Sequence, residues 1–258
     1  MSPLPHRIAS VFSLMSRLPV RLRDQPDYSS ADWMIPVTGL LAAATACVGA
    51  GLGLALFRNE ILAAVVSIAF QYLAFNLFHF DGLVDTADAI GAFGDAEKRR
   101  IALKDPRIGT FGLFAGAMAL FTRVTATAVL LGMAGIAPWA ALALAAPVGR
   151  MAAMVVVSSG KPVGKSGLGA AIGESSPLKA AFGYIAAALP AAFLWGLIFG
   201  AGGSALSLIA GALVAIAVGL GIGAWYHGIF GGYTGDALGA AIEIAEIGVL
   251  AAAVAVLG

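Results

Sequence analysis

Runs of about twenty apolar residues, recurring along almost the whole chain, decide what this sequence can fold into. A helix needs roughly 20 such residues to cross a hydrocarbon core of about 30 Å. They stand here at 33–57, 61–80, 111–133, 137–157, 180–199, 204–226 and 237–257. Because lipid offers no partner to exposed backbone groups, runs of this kind form helices. The pattern therefore predicts an all-α, polytopic integral membrane helical bundle with about seven transmembrane helices, folded as one membrane-embedded domain over residues 1–258. Composition points the same way: 60% of the 258 residues are hydrophobic and 11% are charged, where soluble domains carry about 25% charged residues. The lone Cys47 excludes a disulfide framework and a thiolate metal site.

The polar breaks give the topology. The apolar stretch 8–15 is too short to span and is followed by Arg17, Arg21 and Arg23 without a small-residue cleavage site, so residues 1–31 are expected to form an interfacial segment, not a signal peptide. Lys and Arg gather in alternate breaks: Arg7, Arg17, Arg21 and Arg23 before the first run, Lys98 through Arg107 after the second, and Lys161, Lys165 and Lys179 after the fourth. The other side keeps only Arg58. By the positive-inside rule the N-terminus and every long polar loop face the cytoplasm. The 34 glycines suit close packing of helices in a bilayer.

Charge is concentrated in segment 81–110, which holds six acids and five bases of the chain's 29 charged residues. Asp81, Asp85 and Asp88 are spaced i, i+4, i+7 and on a helix fall within an arc of about 60°. Three like charges on one face repel unless a cation neutralises them, and Mg²⁺ prefers a few carboxylate oxygens completed by water and phosphate. The same pattern also fits a solvated helix end. Gly82 beside Asp81 would let a phosphate or metal approach the backbone. Lys98, Arg99, Arg100, Lys104 and Arg107 follow directly, as a diphosphate leaving group would require, although topology alone also places bases there. Arg107 is the favoured one, held in a turn shaped by Pro106 and Gly109. His79 is a candidate ligand or base, or an interfacial hydrogen-bonding group. Arg123, Arg150, Glu243 and Glu246 lie inside apolar runs. They are expected to line a substrate cavity with Asp236, or else to form buried ion pairs. The segment 160–166 is one residue short of a P-loop and follows no buried strand, so a nucleotide-binding loop of that kind is excluded.

At these residues the sequence resembles the cobalamin synthase, or adenosylcobinamide-GDP ribazoletransferase, family. His79-Phe80-Asp81-Gly82-Leu83-Val84-Asp85-Thr86-Ala87-Asp88 is similar to its H-x-D-G-L-x-D-T-x-D signature. Lys104-Asp105-Pro106-Arg107-Ile108-Gly109-Thr110-Phe111-Gly112 is similar to K-D-x-R-I-G-x-x-G, and Gly231-Gly232-Tyr233-Thr234-Gly235-Asp236-Ala237-Leu238-Gly239-Ala240 to G-G-x-T-G-D-x-x-G-A. Arg17-Leu18-Pro19 and Gly167-Leu168-Gly169 extend the likeness over essentially the whole chain. Ala89 and Lys165 stand where the family pattern leads us to expect glycine and arginine.

The resemblance implies an Mg²⁺-dependent transferase in a bacterial inner membrane. It would join α-ribazole, or its 5′-phosphate, to the cobinamide phosphate of adenosylcobinamide-GDP and release GMP. The residues themselves supply a mechanism to test for that reaction: Asp81, Asp85 and Asp88 hold the metal against the diphosphate, Lys104 and Arg107 neutralise the leaving GMP, and a carboxylate or His79 takes the ribose proton. Gly82, Asp105, Gly109, Lys165, Thr234, Asp236, Glu243 and Glu246 would contact substrate. The expected partners are these substrates and the bilayer, with no nucleic acid and with homo-oligomer formation left open.

Two other readings are open. A membrane phosphotransferase of the CDP-alcohol type also uses Asp-Gly followed by spaced aspartates, but Asp85-Thr86 occupies its Ala-Arg position and Arg99 stands where its last aspartate belongs. A transporter using the intramembrane Arg and Glu residues leaves the aspartate triad without a purpose.

Overall fold

The structure, a computed structural model, describes residues 2–164, 168–172 and 175–258. Among these there is no β-strand; the elements are α1 (Leu4–Met15), α2 (Ala31–Phe57), α3 (Glu60–Gln71), a π-helical turn (Tyr72–Asn76), α4 (Leu77–Gly91), α5 (Ala96–Lys104), α6 (Thr110–Leu131), α7 (Ala137–Ser158), α8 (Leu168–Ile172), α9 (Pro177–Phe230) and α10 (Gly235–Leu257). Five helices are long and apolar enough to cross a membrane, or six if α3 and α4 count as one broken span. The protein is a multi-pass helical membrane protein.

Helix α9 has 54 residues, which as a straight rod would measure about 80 Å, more than twice a hydrocarbon core. It is a hairpin instead. Gly200 takes φ 73°, ψ −173°, a conformation open to glycine alone. Beyond it the chain doubles back, so that Tyr184 donates to the carbonyl of Leu208 at 2.8 Å. The two arms match the runs at 180–199 and 204–226, which is how about seven passes arise from fewer elements.

The run at 61–80 is not one straight span. Helix α3 ends at Gln71, the π-helical turn follows, and α4 leaves at 92° to α3. A π-turn offsets the hydrogen-bond ladder by one residue and is a recognised cause of bends without proline. The N–H of Arg17 donates to the carbonyl of Ala74 within this turn at 2.8 Å, pinning the segment after α1 to the bend. The acidic stretch is therefore helix α4 itself rather than a loop after a span.

Helix α7 is central, packed by α9, α10 and α2. Small residues set the spacing: a Cβ on Gly39 would lie 2.7 Å from Pro147 Cα, and one on Gly49 would lie 2.8 Å from Ser67 Cα. Close approach of this kind is how helices associate where lipid removes the hydrophobic drive. One end of the bundle collects the turns at 58–59, 132–136 and 200 together with Gly258, whose added Cβ would sit 3.7 Å from Met133 Cε. The opposite, polar end collects α1, the end of α4, α5, and the segments before α6, α9 and α10.

Candidate active site at the polar end

Helix α4 builds the site because it is amphipathic across two different neighbours. Leu83 packs with Ala119 of α6 and Ala240 of α10, beside Phe80 and Ile247. Asp81 is exposed on the other side, and Asp85 and Asp88 are half-buried. The α4–α10 contact depends on paired glycines: a Cβ on Gly82 would lie 2.8 Å from the Asp236 carbonyl oxygen, and one on Gly239 would lie 2.7 Å from the His79 carbonyl oxygen. Gly82 thus admits a neighbouring helix backbone, not the phosphate or metal expected from its place in the motif. The effect is to bring Asp236, at the first turn of α10, beside the aspartates of α4.

Asp88 has a structural task. Its carboxylate accepts from the backbone N–H of Gly109 and of Gly112, both at 2.7 Å, and so caps the N-terminus of α6, where Gly109 offers no side chain of its own. A Cβ on either glycine would collide with this carboxylate. The glycines of the 104–112 motif are therefore explained by Asp88, and Gly109 serves this contact in place of the substrate contact expected of it. Asp88→Ala or Gly112→Ala should each lower stability by about 1–3 kcal/mol, which thermal unfolding in detergent will register.

Asp81 and Asp85 accept no hydrogen bond from the described residues, and Asp85 lies within electrostatic reach of Asp81, Asp236 and Asp88. Asp236 accepts from Thr234 Oγ1 at 3.1 Å. Among the described residues no three His, Cys, Asp or Glu side chains are placed to share one metal ion. The donor set nonetheless suits Mg²⁺, which uses one or two carboxylates and takes its remaining ligands from water and substrate phosphate.

His79 does not join this face. Residues 79 and 81 point about 200° apart on a helix, and the His79 imidazole is buried, edge-on to Phe78 at 4.3 Å between ring centres, in a small space walled by α1, α2, α7 and α10. Its expected role as a base is therefore replaced by a packing position behind α4. Glu243 and Glu246 are also corrected. Both are fully buried. Arg123 donates to Glu243 at 2.9 Å and pairs with Glu246; Arg150 pairs with Glu246; Tyr72 donates to Glu243 at 2.7 Å and Gln71 to Glu246 at 3.0 Å. Four helices and the π-turn are joined by this network, the buried-pair alternative of the sequence reading.

The basic residues divide. Arg99 donates to the carbonyls of Ala89 and Ile90 at 2.9 and 3.0 Å, closing the C-terminal end of α4. Arg107 makes a two-pronged pair with Asp105, at 2.9 and 2.8 Å, which holds the Asp105 carboxyl down at about 2, so both stay ionised at neutral pH. Asp105 is thereby occupied in shaping the turn, while the Arg107 side chain remains exposed. Lys98, Arg100 and Lys104 are also exposed. The segment after α7 is drawn to the site by a bridge between Pro162 and Tyr233, with Val163 N–H donating to Tyr233 O at 2.8 Å and Tyr233 N–H to Lys161 O at 3.0 Å. Lys165 and Gly167 lie outside the described residues.

Sequence reading missed Tyr226, whose hydroxyl meets Thr86 Oγ1 at 2.7 Å beneath the acidic face; an aromatic at the end of an apolar run carries no signal of this. Gln71 and Tyr72 were legible in principle, as polar groups inside a span.

The fold and the site define a polytopic α-helical membrane protein with a carboxylate face, backed by paired glycines, at its polar end. A family model described as cobalamin-5-phosphate synthase matches residues 7–254, and the chain belongs to that family. It is 33% identical to the adenosylcobinamide-GDP ribazoletransferase of Halorubrum lacusprofundi over 96% of each chain. It is 35% identical to that of Pseudomonas entomophila over 96% of this chain and 97% of the relative, and 32% identical to that of Pseudomonas aeruginosa over 92% and 93%. No solved structure matches.

Proposed function

We propose that this protein is an adenosylcobinamide-GDP ribazoletransferase working from the cytoplasmic face of a bacterial inner membrane, with its N-terminus on that side. In the reaction a ribose hydroxyl of α-ribazole, or of its 5′-phosphate, attacks the phosphorus attached to cobinamide. The bond from that phosphorus to the bridging oxygen breaks, GMP leaves with the electron pair, and the hydroxyl proton passes to a base. One observation carries the reading: the three motif blocks shared with the family, 79–88, 104–112 and 231–240, meet at one place through the Asp88 cap and the Gly82–Asp236 contact.

Asp81 and Asp85 would hold Mg²⁺, with Asp236 beside them. The ion when bound neutralises diphosphate oxygens and so stabilises charge on the leaving group. The chain's own residues do the rest. Arg107, Lys104 and the other exposed bases of 98–107 form a cationic border that attracts an anionic donor and steadies departing GMP. With His79 turned away, a carboxylate of the acidic face is the group left to take the ribose proton.

Donor exchange tests the reading. Detergent-purified protein given adenosylcobinamide-GDP should release GMP, whereas a CDP-activated alcohol should yield no CMP. Turnover of the CDP donor alone would replace this function with that of a CDP-alcohol phosphotransferase.

A further inference from the structure

Beneath the acidic face, polar side chains link α4 to the end of α9 and the start of α10. Tyr226, near the end of α9, is fully buried and packs its ring against Trp225 and Phe230. Phenylalanine would fill this place without a polar atom to satisfy, and a hydroxyl buried here is costly unless it is bonded. The Tyr226 hydroxyl meets Thr86 Oγ1 at 2.7 Å. Thr86 has one proton, which goes back along α4 to the Gly82 carbonyl at 2.6 Å. Tyr226 is therefore the donor to Thr86, and its own oxygen is left as an acceptor.

Thr234 is the donor within reach of that oxygen. It stands at the N-cap of α10, where a threonine side chain ordinarily accepts from a backbone N–H of the first turn, yet it makes no such bond. Its hydroxyl donates to Asp236 Oδ2 at 3.1 Å, so its proton has two acceptors, the phenol and the carboxylate, and Thr234 is fixed between them. The ring of contacts closes through the backbone, because the Asp236 main chain packs on Gly82. Asp85 and Asp236 both lie within electrostatic reach of the phenol. We propose that Tyr226 is a positioning residue of the site: held by Thr86 and holding Thr234, it fixes the Asp236 carboxylate beside Asp85 so that the two serve one divalent cation, a role that rests on the metal-binding reading of these carboxylates.

The test uses the whole protein in detergent with Mn²⁺ as the probe, its binding read by electron paramagnetic resonance, and the Mg²⁺ dependence of GMP release measured beside it. Wild type should bind Mn²⁺ saturably. Tyr226→Phe keeps the ring and loses only the hydroxyl; it should bind Mn²⁺ about tenfold more weakly and need about tenfold more Mg²⁺ for half-maximal release. Turnover at saturating Mg²⁺ should stay within about twofold of wild type, since only binding of the ion is lost. Asp236→Asn should also bind Mn²⁺ weakly, and adding Tyr226→Phe to it should change nothing further, because the tyrosine acts through that carboxylate. A tyrosine needed only for folding would lower the amount of active protein and leave both metal dependences unchanged. That result would overturn the proposal, as would a wild type that binds no Mn²⁺ or a full further weakening in the Asp236→Asn background. Mn²⁺ binding that weakens as expected in a protein that releases no GMP would uphold the role of Tyr226 and remove the transferase reading instead.

Discussion

Replacing Asp85 with alanine is expected to lower turnover at least about a hundredfold while leaving the folded protein as stable as before, or more so. Asp85 accepts no hydrogen bond from the described residues and lies within electrostatic reach of three other carboxylates, so its removal relieves repulsion and breaks no contact. Asp88→Ala is the control. It should lose stability together with activity, because its carboxylate caps α6. Turnover and thermal unfolding measured on both purified variants decide the matter. Unchanged turnover in Asp85→Ala would remove it from the site, and unfolding of that variant would make its role structural.

The second large effect belongs to the buried charges. Arg123→Met leaves Glu243 and Glu246 without their shared guanidinium, deep among helices, and should destabilise the protein by about 3–5 kcal/mol. The double variant Arg123→Met, Glu243→Leu removes one charge of each sign and keeps Arg150 and Gln71 on Glu246, so it should recover a good part of that loss. Denaturation midpoints of wild type, single and double variants measure both numbers. A single variant as stable as wild type would show that the network does not hold the bundle together.

These two sites also show what could be read from the chain alone. The spans were legible because each carries its own signal, a run of apolar residues, and the shared face of Asp81, Asp85 and Asp88 followed from helical spacing. What covers a face is another matter. The i, i+4 spacing says nothing about which helix lies opposite, and the partners of Glu243 and Glu246 at Tyr72 and Gln71 stand 171 and 175 residues away. Gly82 was expected to admit a phosphate or metal and Gly109 to contact substrate, yet each admits a part of the protein, the backbone of α10 at Gly82 and the Asp88 carboxylate at Gly109. The bend between α3 and α4 has no proline to announce it, since a π-turn arises from one extra residue in the ladder. The turn at Gly200 was marked by its glycines, Gly200, Gly202 and Gly203, which interrupt the apolar run.

The transferase reading also accounts for why such a site belongs on a membrane helix bent to run beside α10. The bend carries the acidic face of α4 to the polar end, where a charged donor in water can reach it, while the buried network anchors the residues just before the bend. The direct measurement is product stoichiometry. Purified protein incubated with adenosylcobinamide-GDP, α-ribazole and Mg²⁺ should form GMP and a complete cobalamin in equal amounts, and neither when α-ribazole or the metal is withheld. GMP released without a corrinoid product, or no GMP from a folded protein supplied with all three, would contradict the account.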